Sequence, residues 1–445
     1  MAVLSDQDTL QVIRNSAQPL RGSPSDYDPL LAMIGDANFV LLGEASHGTH
    51  EFYQVRAEIT KRLIQEKGFQ AVAVEADWPD ANRVHRYVMN RGNDQSPAQA
   101  LSSFLRFPVW MWRNRVLEQF AGWLRDYNRD HTPAGFYGID LYSLNESRYE
   151  VVRYLEKVDP EAARRARSRY ACFDQYGDDE QAYGMAAGFR DAESCEDEVV
   201  QQLVDLRRRA LEYAHRDGQV AEDEFFSAEQ NARVVQNAEE YYRAMFRGRV
   251  NTWNLRDRHM AETLHALAAH LDQRFGRGKI VVWAHNSHLG DARATEVADR
   301  GEWNVGQLVR ERYGDQSRLI GFTTYTGTVT AADDWGTPHE TKRVRPGMSG
   351  SYELLLHEAS PTNFLLNLRD DQPLAAHLRQ PRLERAIGVI YRPETERYSH
   401  YFKARLADQF DAVLHLDETH AIEPLPHTEE EQIPEETPET FPSGV

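Results

Sequence analysis

A series of short, continuous apolar runs, each closed by glycine or a polar residue, constrains this chain more than any other feature. The clearest are residues 38–43 (NFVLLG), 69–75 (FQAVAVE), 135–140 (GFYGID), 279–284 (KIVVWA) and 318–322 (RLIGF). Residues 363–368 (NFLLNL), 386–390 (AIGVI) and 411–416 (DAVLHL) follow the same form. Strands wet on one face alternate apolar and polar residues, whereas unbroken runs suit strands buried on both faces of a parallel sheet. Helical patterns lie between them. In residues 50–67, Phe52, Val55, Ile59, Leu63 and Ile64 fall along one side. Strand–helix alternation of this kind predicts an α/β fold, with a mostly parallel β-sheet core flanked by helices.

From 143 to 275 the pattern changes to long charged helical stretches with few strand signals. A large helical insertion between the third and fourth strands is expected, capping a deep cleft at the sheet edge, since lids recur over α/β sites. The chain then divides into residues 1–142 as the first part of the core, 143–275 as the insertion or cap, and 276–425 as the second part. Residues 426–445 are acidic and Pro-rich with little to bury, so a disordered tail is expected. No period of 20–50 residues marks a repeat protein. The segments VLLGEASHG and VVWAHNSHLG are loosely alike, a faint trace of duplication.

The formal charge of −19 argues against a nucleic-acid partner, which would call for a basic footprint. No run approaches the ~18 consecutive apolar residues of a membrane span. The first residues lack a basic start followed by an apolar stretch, so no secretory signal is expected. Cys172 and Cys195 are too few for a disulfide framework and fit a reducing compartment, with the cytoplasm as the expected location.

The chemistry-bearing residues follow the strands. Gly43-Glu44-Ala45-Ser46-His47-Gly48 comes after the first run, Glu75 closes the second, Asp140 the third, and His285-Asn286-Ser287-His288 follows the fourth. Ligands of open α/β sheets bind outside the carboxyl ends of the strands. If the strands are parallel neighbours, Glu44, His47, Glu75, His285 and His288 converge on one crevice. Each alone reads as a loop or capping residue, but together they supply what acid–base chemistry needs. Arg56, nine residues after His47, either steadies an anion there or forms a structural ion pair with Glu44 or Glu75. Asp257 and His259, in WNLRDRHM, either face the cleft or lie on a helix surface. The polar, aromatic segments 334–348 and 391–401 could border the cleft, with no chemical role expected for His400 or Lys342.

Three mechanisms fit this set. An imidazole deprotonates water with a carboxylate fixing its tautomer. Alternatively, the His and Glu residues hold a metal that activates water, although HExxH and CxxC spacings are absent. Thirdly, Ser46 acts as a nucleophile, although no G-x-S-x-G elbow occurs. Neither a phosphate-binding loop nor a dinucleotide fingerprint is present.

GEASHG with Arg56, the VEADW run, HNSH, RFPVWMWRN, YGIDLYS, WNLRDRHM and SHYFKARLADQFDAVLHLDET together resemble the erythromycin esterase family, over roughly residues 37–425. The resemblance implies an α/β core with a helical portion beside a deep cleft. It also implies hydrolysis of a macrolide ester by namesake members. Carried over, His47 is the general base, Glu44 and Glu75 orient it or relay protons, and Arg56, His285 and His288 complete the site. The chain resembles the general bacterial branch more than dedicated resistance enzymes. The expectation is a hydrolase of a small-molecule ester or lactone, with no cofactor, no bound metal, no nucleic acid and no membrane partner. A metal-dependent hydrolase and a non-catalytic binding protein are the alternatives.

Overall fold

The computed structural model describes residues 5–189, 193–214, 219–246 and 251–426. The acidic tail expected at 426–445 therefore lies outside the described residues, apart from Pro426. The strands are β1 (Gln18–Pro19), β2 (Phe39–Leu42), β3 (Ala71–Asp77), β4 (Gly135–Asp140), β5 (Ile280–Trp283), β6 (Ser317–Ala331), β7 (Glu340–Val344), β8 (Phe364–Asn367), β9 (Arg382–Arg385), β10 (Tyr401–Ala404) and β11 (Ala412–Thr419). Nine form one sheet in the order β1-β8-β11-β6-β2-β5-β3-β4, with β7 paired to β6. The pairs from β11 through to β4 are parallel, while β8 runs antiparallel to β11, β1 to β8 and β7 to β6. β9 and β10 form a separate antiparallel ribbon.

The apolar runs explain the sheet. In β2, β3 and β5, Val40, Leu42, Val72, Val74, Val281 and Trp283 enter a core on one face. Their alternates Phe39, Leu41, Ala71, Ala73, Ile280 and Val282 enter a core on the other. Successive side chains point to opposite faces of a strand, so burying both faces requires an unbroken apolar run. The result is a mixed α/β fold with a large central sheet flanked by helices.

Helices fill the described residues between β4 and β5. Helices Leu144–Val158, Pro160–Tyr170, Glu196–Arg208 and Gln219–Met245 enclose a third apolar core that includes Leu155, Ala166, Leu203 and Val235. Helix Thr252–Phe275 joins this core to the sheet. Leu255 packs in the helical core, whereas Met260, Leu264, Leu267 and Leu271 pack against the sheet.

Two expectations change. Residues 386–390 form no sheet strand; they make single bridges, Ile387 to Ser46 and Ile390 to Ala332, and so lie across the strand ends as cover. The apolar side chains are buried there without a ladder. Cys172 and Cys195 form a disulfide, with Cα atoms 6.1 Å apart, instead of remaining free thiols. It closes a loop inside the helical region, where the fold brings residues 23 positions apart together.

Candidate active site

β2, β5 and β3 are adjacent and parallel, so their carboxyl ends open side by side. The chain leaves them in tight contact. The Asn286 backbone N–H donates to the Glu44 carbonyl at 2.8 Å, and its side-chain amide donates to the Phe322 carbonyl at 2.7 Å. A Cβ on Gly43 would lie 2.1 Å from Asn286 Oδ1, and one on Gly48 1.8 Å from the Thr330 carbonyl oxygen. The two glycines of GEASHG are therefore demanded by close approach, not by loop flexibility.

Glu44 is fully buried and its two oxygens have separate partners. Oε1 lies 2.9 Å from His47 Nδ1, and Oε2 accepts from Arg56 Nη2 at 2.6 Å. Helix His50–Lys67 carries Arg56 beneath the site. The guanidinium also stacks on Tyr53 and Trp283, 4.3 and 5.1 Å from the ring centres. A carboxylate only accepts, so Nδ1 of His47 carries the proton and Nε2 holds the free lone pair. The Tyr53 hydroxyl donates to the His47 carbonyl at 3.0 Å and steadies the turn.

The His285 ring centre lies 4.9 Å from that of His47. Its Nδ1 accepts the Ser287 backbone N–H at 3.2 Å, which puts the ring proton on Nε2. That atom is buried, and the ring also interacts with the Ala45 backbone. Burial, reinforced by His47, holds this imidazole well below its usual range and therefore neutral.

Glu75 joins the halves of the site. Oε2 accepts the His285 backbone N–H at 2.8 Å; Oε1 accepts from Arg256 Nη2 at 2.8 Å and faces His288 Nε2 at 3.3 Å. Burial alone would raise this carboxyl, but His288, His47 and Arg256 outweigh it and hold it well below the usual carboxylate range. The Trp112 indole donates to the Glu75 carbonyl at 2.8 Å. Arg256 also grips Asp140, with Nε–Oδ1 3.0 Å and Nη2–Oδ2 2.7 Å. His288 Nδ1 meets Asp257 at 3.0 Å. Burial alone would lower His288, but Asp257 and Glu75 push it up to about 9.

The six residues singled out from the sequence thus form one chain of contacts: Arg56, Glu44, His47, His285, Glu75 and His288. Of the pair in WNLRDRHM, Asp257 belongs to this network. His259 instead takes the Asn237 amide on Nδ1 at 2.9 Å, and burial pushes it down to about 3. The Ser46 hydroxyl is engaged with that of Thr49. Lys342 pairs with Asp333, and His400 packs on Tyr391. Arg256 and Trp253 were missed, although Trp253, Arg256 and Asp257 stand three and four positions apart, a spacing that places them on one helix face.

A cavity of about 90 Å³ reaches two of these six, His47 and Glu75, and is lined among others by Asp140, Arg256, Trp112 and Trp335. Trp335 comes from the segment 334–348, while Val389 belongs to the run that covers the strand ends.

The family model for erythromycin esterase matches residues 64–419, and the chain belongs to the erythromycin esterase family. That membership points to a hydrolase. YbfO of Bacillus subtilis (strain 168) is 24% identical over 430 residues, covering 91% of this chain and 90% of that protein. Erythromycin esterase type II of Escherichia coli is 23% identical over 425 residues, covering 89% and 93%. Among solved structures, a succinoglycan biosynthesis protein superposes with a TM-score of 0.74 at 24% identity, covering 95% of this chain and all of that one. A histidine-to-asparagine mutant of the erythromycin esterase EreC in its open conformation gives a TM-score of 0.65 at 19% identity, covering 90% and 96%. No helix among the described residues is long and apolar enough to cross a membrane.

Proposed function

We propose that this chain hydrolyses an ester or lactone with water activated by His47, without a metal and without a covalent intermediate. The observation that carries this reading is the Arg56–Glu44–His47 array. Arg56 pairs with one oxygen of Glu44, the other oxygen holds the His47 proton on Nδ1, and Nε2 is left for the cavity. In the reaction His47 takes a proton from water as its oxygen adds to the ester carbonyl. Neutral His285, its ring centre 4.9 Å from that of His47, packs against the base. The proton on His47 then passes to the leaving alcohol.

The donor set favours this reading over a metal site. Both oxygens of Glu44 and both of Glu75 already accept hydrogen bonds, and Nδ1 of His288 is held by Asp257. Guanidinium groups stand where a divalent ion would have to sit. A cavity of about 90 Å³ holds the ester and its nearest substituents. Drug-sized ligands fill roughly 300–1,000 Å³, so a macrolide ring requires the walls of this cavity to move apart.

The test is to incubate purified protein with aryl esters, simple lactones and macrolides, with and without chelator, and to follow each by mass spectrometry for the gain of one water. Opening of at least one ester, unaffected by chelator, is expected. If no ester opens, the hydrolase reading falls; if chelation stops the reaction, the metal-independent mechanism falls.

A further inference from the structure

His288 is held on three sides by a helix that comes from the helical region, not by the sheet that carries the other site residues. Helix Thr252–Phe275 places Trp253, Arg256 and Asp257 on one face in its first turns. The Trp253 ring stacks flat on the imidazole, with centres 4.4 Å apart and planes 7° from parallel. Its indole donates to the Trp303 carbonyl at 2.8 Å, which fixes the ring that fixes the histidine. Asp257 is fully buried, and both of its oxygens lie 3.0 Å from Nδ1. It also accepts the Val305 backbone N–H at 2.9 Å. Asp257 is thus locked from two sides.

The other nitrogen has a choice. Nε2 lies 3.3 Å from Glu75 Oε1, which only accepts, and 3.2 Å from Arg256 Nη1, which only donates. A protonated Nε2 donates to Glu75; a neutral one accepts from Arg256. The charged groups facing the ring are therefore Asp257 and Glu75 on one side of the balance and Arg256 on the other, with neutral His285 beyond Glu75. Two buried carboxylates against one guanidinium favour the cation.

We propose that Asp257 is a positioning residue that holds His288 as an imidazolium with Nε2–H directed at Glu75, leaving His47 as the only one of the two histidines able to act as a base. This inference rests on the hydrolase reading for the meaning of the site. The helix then does more than contribute Arg256 to the cavity wall: it supplies the counter-charge that divides the roles of two histidines. Glu75 in turn stays ionised between an imidazolium and a guanidinium.

The experiment is nitrogen NMR of protein labelled with 15N in its histidine rings, titrated from pH 5 to 10. His288→Gln identifies the His288 signals by their disappearance. In the wild type the His288 nitrogens should both carry protons at pH 7 and titrate alkaline of an ordinary histidine. In Asp257→Asn the midpoint should fall by at least tenfold in proton affinity, and Asp257→Glu should restore most of it. A wild-type His288 that is neutral at pH 7 overturns the proposal without any variant having to fold. So does an unchanged midpoint in Asp257→Asn. No substrate enters the measurement, so the absence of ester hydrolysis would leave this result to stand or fall by itself.

Discussion

Glu44 at the strand ends and Glu384 in β9 are both fully buried, yet their surroundings are opposite. Glu44 has a partner on each oxygen, one of them the Arg56 guanidinium. Glu384 has the neutral Gln409 side chain as its polar neighbour, without a hydrogen bond of good geometry. Burial, with the Glu353 carboxyl beside it, pushes Glu384 up to about 8. One carboxyl has a preassembled counter-charge beside it; the other is kept neutral by its proton. Only the charged kind is useful for orienting a base, and it occurs where the strand ends converge.

Breaking the first arrangement should have the largest effect. Arg56→Leu leaves Glu44 buried without its cation, and should cost about 3–5 kcal/mol in urea unfolding. A loss below about 1 kcal/mol would mean that Glu44 is not held as a charge. Next comes the steric frame that brings the strand ends together. Gly48→Ala places a methyl into the Thr330 carbonyl and should cost about 1–3 kcal/mol in the same assay.

The second arrangement is sharpened by pH. Glu384 holds its proton more tightly in the folded than in the unfolded chain. Stability from this group is therefore fully present below about pH 4.5 and is lost as pH rises to about 8. Glu384→Gln should remove that slope, so its melting temperature relative to wild type should be higher at pH 9 than at pH 4. Parallel curves for the two proteins would show that Glu384 is ionised in the fold. The smallest effect belongs to a position with neither kind of burial. Tyr398 is 86% exposed, and Tyr398→Ser should change stability by no more than about 0.5 kcal/mol.

Much of this was legible in the sequence because a two-faced strand must be apolar throughout. The runs at 38–43, 69–75, 135–140 and 279–284 mark β2, β3, β4 and β5, and the residues that close or follow them mark the site. The run at 386–390 misled because burial over the strand ends demands the same apolar residues as burial in the sheet. β9 was invisible because its sequence, RLER, is mostly charged, and its buried members are Glu384 and Arg385. Arg256 and Trp253 were hidden by distance: 181 positions separate Arg256 from Glu75, and no local pattern says which helix face meets a strand end. The pairing of Cys172 with Cys195 depends likewise on how the helices fold back on one another.

The claim that His47 is the base, aligned by Glu44 and Arg56, is tested most directly by kcat/KM for the first ester this protein opens, measured in the wild type and in His47→Ala. The account predicts a loss of about 10²–10⁴-fold, with the circular dichroism spectrum unchanged. Equal rates in the two proteins would contradict it.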